Sequence, residues 1–202
     1  MNTNKHGFLF ENLNAKLLDE TAIIQFCRPE IKNPLSVKTL EELKEIFTFF
    51  ESASEIKTII FTGSGDTFAS GANLNEVAQL SEKTAIEFGL RGQNLMQKIF
   101  NSSKNTIAAI DGFCMGGALD LALSCKKRIA SEKSVFAHPG ANLGIITGWG
   151  GTQLLPRLIG KKRAFEILLT AKRASAEEAL KIGLIDELCE NPLEKAIANH
   201  SQ

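Results

Sequence analysis

The chain has 202 residues, 44% of them hydrophobic and 23% charged, and its 23 basic and 23 acidic side chains leave a formal net charge of zero. That length suits one sizeable core, and a single domain over residues 1–202 is expected, with a core from about 8 to 188 and a tail from 189 to 202. Balanced charge argues against nucleic acid or anionic lipid as a partner.

No stretch is apolar and long enough for a signal peptide or a membrane span, so the expected address is the cytoplasm. Cys27, Cys114, Cys125 and Cys189 form no Cys-x-x-Cys pair, and His6, His138 and His200 are scattered. Reduced thiols and no metal site are therefore expected.

In chain order, "FLFENL" (8–13) and "LLDETAIIQFC" (17–27) read as partly alternating strands of a hairpin region. "SVKTLEELKEIFTFFES" sets Leu40, Leu43, Phe47 and Phe50 at helical spacing behind a Ser36 cap. "KTIIFTG" (57–63) is a short buried strand, residues 82–102 form a second helix, and "TIAAIDG" (106–112) is another apolar strand. "GALDLALSC" reads as a helix and "RIASEKSVFAHP" as extended chain, followed by helices at "GTQLLPRLIG" and "KRAFEILLT". "SAEEALKIG" closes the series, with Ser175 as cap, Glu178 at capping-box spacing and a glycine stop. Strands alternating with helices predict an α/β fold around parallel strands.

Two glycine-bearing loops each follow a buried strand: "TGSGDTFASGANL" and "DGFCMGGALD". Ligands of α/β sheets sit beyond the carboxyl ends of strands, so the two loops suit one pocket. The first begins like a dinucleotide fingerprint but has Phe68 where the third glycine belongs. No P-loop and no Gly-x-Ser-x-Gly nucleophile elbow is present. Gly116 and Gly117 stand at a helix start, where amide N–H groups are unpaired and the dipole favours negative charge. With a second N–H from "ASGAN" they suit an oxyanion hole; the competing reading is that the glycines only permit close packing.

"FTGSGDTFASGANLNEV", "AAIDGFCMGGALDLALSC" and "GWGGTQLLPRLIGKKRAFEILLTAKRASAEEALKIGLIDEL" together resemble the enoyl-CoA hydratase/isomerase (crotonase) family. The resemblance runs in order from "RPEIKNPLS" to "GLIDEL". It implies a spiral of ββα units, here with a shortened C-terminal helical region, assembling as a homotrimer or hexamer. It implies an acyl-CoA thioester as substrate, with no cofactor beyond the coenzyme A that the substrate carries. The family pattern puts the oxyanion N–H groups on Ala72 and Gly117, and Gly71, Ala72, Asn73, Leu74 and Asn75 along the thioester and adenine.

Hydratases of the family use two glutamates; their positions fall here on Asp120, one methylene shorter, and on Gly140, which has no carboxylate. Hydration needs a base for water and an acid for carbon, whereas moving a double bond needs one base. Isomerisation is therefore mildly preferred over hydration. Gly140 also resembles some dihydroxynaphthoyl-CoA synthases, whose relatives recruit bicarbonate at that place.

Four positions keep two readings each. Asp120 is a proton-carrying base or a partner of the helix dipole. His138, two residues before Gly140, is a substitute acid or base if turned inward, or else a surface residue or a satisfied one. Trp149 packs on the acyl pocket or on a neighbouring subunit, and Cys114 is a small buried thiol rather than an activated thiolate. Ending at "NPLEKAIANHSQ", the chain lacks the further helices of family members, so a neighbour closes the site or water reaches it. The alternative to an enzyme is a catalytically impaired acyl-CoA-binding or assembly protein of the same fold.

Overall fold

A computed structural model describes residues 10–198. The elements in chain order are β1 (Leu13–Leu18), β2 (Thr21–Phe26), β3 (Pro34–Leu35), α1 (Val37–Ser52), β4 (Thr58–Thr62), β5 (Thr67–Ala69), β6 (Gly71–Ala72), α2 (Leu74–Val77), α3 (Glu82–Phe100) and β7 (Asn105–Ile110). They continue with β8 (Phe113–Met115), α4 (Gly117–Ser124), β9 (Lys127–Ala130), β10 (Val135–Ala137), α5 (Gly151–Ile159), α6 (Lys161–Thr170), β11 (Ala174–Ser175), α7 (Ala176–Lys181), β12 (Glu187–Leu188) and α8 (Pro192–Ala198).

The chain repeatedly runs strand, strand, helix. β2, β4, β7 and β9 lie side by side in parallel in a sheet of order β1-β2-β4-β7-β9-β12. The following short strands go elsewhere: β5, β8 and β10 join β11 in a four-stranded sheet, and β3 pairs with β6. The α/β expectation and the ββα repeat are both present.

The parallel strands are continuous apolar runs because both faces are covered, as parallel sheets require. Alternate side chains separate accordingly. Ile24, Ile59, Phe61, Ala108 and Ile110 join the core under α1, α3 and α4. Ile23, Ile60, Ile107, Ala109 and Ile129 face the other way, against Ala196, Leu193 and Ile197. Within the stretch expected as a tail from 189, α8 covers the second face of the sheet.

Ser36 caps α1 as expected, its hydroxyl accepting from Thr39 N at 3.1 Å. Ser175 caps α7, but Glu178 does not complete a capping box; its carboxylate accepts from Lys172 Nζ at 2.8 Å instead. Of the strand expected over 8–13, residues 8 and 9 lie outside the described residues and 10–12 are not strand. The Glu42 carboxylate takes the ladder's place there, accepting from Glu11 N and Asn12 N at 3.0 Å each. The hairpin therefore pairs β1 with β2 and turns at Asp19, whose φ is 50°. "RIASEKSVFAHP" is likewise two strands in two sheets, split by a turn in which Ser134 N donates to Ser131 O at 3.0 Å. No helix among the described residues is long and apolar enough to cross a membrane.

Candidate active site

β4 and β7 are neighbouring parallel strands, so the loops that follow them meet at one end of the sheet. The first loop is anchored from below by Asn33, whose amide Nδ2 donates to Thr67 O at 2.7 Å and Ser64 O at 3.0 Å. β6 then lies parallel to β3, with Ala72 opposite Leu35. Gly71 has φ +88°, and a Cβ there would come within 2.6 Å of Met115 O and 3.0 Å of Gly117 N. Only glycine allows the two loops to approach this closely. Ala72 and Gly117 are thereby brought together.

In the second loop Gly116, at φ 54° and ψ −122°, caps α4 and donates its N–H to Ala137 O at 2.9 Å. Gly117 is the first residue of α4, so its N–H belongs to the first-turn donors that a helix leaves without an intrahelical acceptor. A Cβ on Gly117 would collide with the six-membered ring of Trp149. That indole is buried and tilted against Phe88 with ring centroids 5.4 Å apart. Of its two readings, packing on the pocket is the one seen. Trp149→Ala should cost about 3–5 kcal/mol of stability, read by urea unfolding.

Ala72, Leu74, Gly117, Asp120, His138, Gly140 and Trp149 line a cavity of about 260 Å³. Val77, Leu80, Phe88 and Leu168 make much of the rest of its wall apolar. Gly71 lies behind the wall, and Asn73 and Asn75 do not line it. Asn73 Oδ1 instead caps α2 by accepting from Asn75 N at 3.0 Å. Gly140 adjoins no open space for a side chain: a Cβ there would come within 2.7 Å of Ile145 O, because Ile145 N donates back to Gly140 O at 3.0 Å. The segment after Gly144 folds into the position where a larger residue would begin.

Asp120 is fully buried on the first turn of α4. Burial pushes its carboxyl up to about 7, against the pull of the Thr147 hydroxyl and the backbone N–H groups of Trp149 and Gly151. Thr147 Oγ1 donates to Oδ2, while Oδ1 has no hydrogen-bond partner among the described residues. His138 does turn inward: it is 2% exposed, with Nε2 3.5 Å from Asp120 Oδ1. Burial pushes the imidazole down to about 4. Cys114 is buried and its thiol is raised well above its ordinary value by desolvation, as a structural thiol should be. Among the described residues no three His, Cys, Asp or Glu gather to hold a metal ion.

Thr147 and Gly151 were not anticipated. A Cβ on Gly151 would overlap Asp120 Oδ1 and reach within 3.0 Å of His138 Cε1. Nothing in local spacing signals either role, because the loop from 144 to 150 must fold back over α4 to create it.

The arrangement, a largely apolar pocket with backbone donors at one side and a buried carboxylate of raised pKa at the other, suits removal and return of a proton beside a carbonyl. The family model described as enoyl-CoA hydratase/isomerase matches residues 19–200. The crotonyl-CoA hydratase of Syntrophomonas wolfei is 38% identical over 180 residues, covering 89% of this chain and 69% of that protein. The short-chain-enoyl-CoA hydratase of Clostridium acetobutylicum is 36% identical over 182 residues, covering 88% and 70%. The crystal structure of enoyl-CoA hydratase from Bacillus anthracis superposes with a TM-score of 0.89 at 35% identity, over 94% of this chain and 75% of that one. The fold is the crotonase spiral, and the chain belongs to the enoyl-CoA hydratase/isomerase family.

Proposed function

We propose that the protein binds an enoyl-CoA in this cavity and forms a thioester enolate, with Ala72 N–H and Gly117 N–H donating to the carbonyl oxygen. The observation that carries the reading is the close approach of β6 to the start of α4 at Gly71. Deprotonation at C2, or addition of water at C3, places negative charge on the thioester oxygen. Preorganised amides at a helix N-terminus meet that charge without reorganising. Leu74 and the apolar wall receive the acyl chain, and Gly140 borders its reacting end. Asp120 carries the proton. The chemistry asks for no cofactor beyond the substrate's own coenzyme A.

Among the described residues, Asp120 is the one carboxylate lining the cavity. Moving a double bond asks only that it take a proton from C2 and return it at C4, so isomerisation remains mildly preferred. Hydration is the second reading, favoured by the position of His138 and by the hydratases among the relatives. Assembly as a homotrimer or hexamer is part of the proposal, supported by exposed apolar side chains on α3 (Ile86, Leu90) and α6 (Phe165, Leu169).

Short-chain 2-enoyl-CoA and 3-enoyl-CoA, offered separately, test the reading. The expected result is loss of one or both with formation of the isomer or the 3-hydroxyacyl product. Tight binding with no turnover of either would identify an acyl-CoA-binding protein, and no affinity for any thioester would end both readings.

A further inference from the structure

Among the described residues, two ionisable side chains line the cavity, Asp120 and His138, and they face each other. Three of their polar atoms, Asp120 Oδ1 and both ring nitrogens of His138, are buried with no hydrogen-bond partner among the described residues. Leaving such atoms unpaired is costly, so a group of this kind in a native fold calls for an explanation. Gly151 supplies part of it: the position is bare where the carboxylate and the imidazole converge, and any side chain would part them. The neighbourhood is built to keep both groups in contact with the cavity.

We propose that His138 is the proton partner of Asp120, and that the buried pair, not a lone carboxylate, is the acid–base unit of the site. His138 supplies what is missing at Gly140, from the preceding strand end rather than from the position after Pro139. The inference rests on the enolate reading above and extends it to water addition. The oxygen of water bonds to C3 as a proton passes from that water to the pair. The π electrons of the C2=C3 bond move toward C1, and charge gathers on the thioester oxygen opposite Ala72 and Gly117. The enolate then takes a proton from the pair at C2, so the pair ends with the protons it began with.

Asp120 on α4 is the titratable group facing His138; Cys114 on β8 also lies near that carboxyl, its thiol held protonated. Thr147, from the loop before α5, contributes only a neutral hydroxyl.

His138→Gln keeps bulk and an N–H donor but cannot carry a proton; His138→Ala removes both. The expected result for Gln is a fall of roughly 10²-fold or more in kcat for 2-enoyl-CoA hydration, with KM changed less than about twofold. In the free protein, the carboxyl ¹³C titration of Asp120 should move by about one pH unit in His138→Ala, since paired sites titrate together. Wild-type hydration rates in His138→Gln, or an unmoved Asp120 titration in His138→Ala, would overturn the proposal. A parent protein that isomerises but adds no water would overturn it while leaving the enolate reading intact. A parent that binds no thioester would end both, the unmoved or moved titration still reporting whether the pair exists.

Discussion

An Asp120→Asn variant should lose turnover by roughly 10²–10⁴-fold and at the same time become the more stable protein at alkaline pH. The two effects have one cause. Burial raises the Asp120 carboxyl from 3.8 to about 7, so the folded protein holds a proton that the unfolded chain releases between those values. The associated stability is fully present below 3.8 and is lost as pH rises through 7, where a charged carboxylate must be kept in an apolar wall. At about 1.36 kcal/mol per pH unit, that loss approaches about 4 kcal/mol by pH 8. Asparagine carries no charge to bury, so its advantage should grow from near zero at pH 4 to that order at pH 8. His138 works with the opposite sign, its contribution present above 6.5 and lost as pH falls through about 4. Urea unfolding of parent and variant at pH 5 and pH 8 reads the difference. Were Asp120 only a partner of the α4 dipole, Asn would be the less stable form at pH 8. The measurement therefore separates the two readings that its sequence position leaves open.

Removing the Gly117 N–H should reduce kcat by about 10²–10³-fold, the usual cost of one oxyanion donor, or about 3–4 kcal/mol of barrier. Side-chain substitution is a poor way to test this. Any Cβ at 117 meets the Trp149 ring, so alanine would displace the indole and reshape the cavity as well. A backbone ester made by placing glycolic acid at 117 deletes the N–H and leaves the shape unchanged. KM for the thioester should rise little, because the charge being stabilised develops only on the way to the enolate. A backbone-ester protein with parental kcat would remove Gly117 from the mechanism.

Much of this was legible from residue order alone. α1 announces itself through Leu40, Leu43, Phe47 and Phe50 behind Ser36, since amphipathic spacing and a cap are local signals. The runs that became β4 and β7 were legible because strands covered on both faces are continuously apolar. Less accessible were β5, β8 and β11, segments of two or three residues whose strand state depends on partners far along the chain. "FCM" read as loop for that reason. α8 carries a modest apolar face that gains meaning only against Ile60 and Ile107.

The candidate site divides in the same way. Ala72, Gly117 and Asp120 are marked by the resemblance to the family, whose motifs the sequence carries in order, and the structure brings them to one cavity. Thr147 and Gly151 earn their places only after the 144–150 loop folds over α4, and the closure of Gly140 by Ile145 O is likewise a tertiary contact. His138 was ambiguous by position, since a two-residue offset on extended chain fixes a face but not what lies opposite. Its approach to Asp120 required the packing of β10 beside β8.

A crystal structure of the protein with a saturated short-chain acyl-CoA tests the central claim most directly. The account predicts the thioester oxygen within about 3 Å of both Ala72 N and Gly117 N, with C2 facing Asp120. An oxygen bound elsewhere, or either amide already donating to a main-chain carbonyl in that complex, would contradict it.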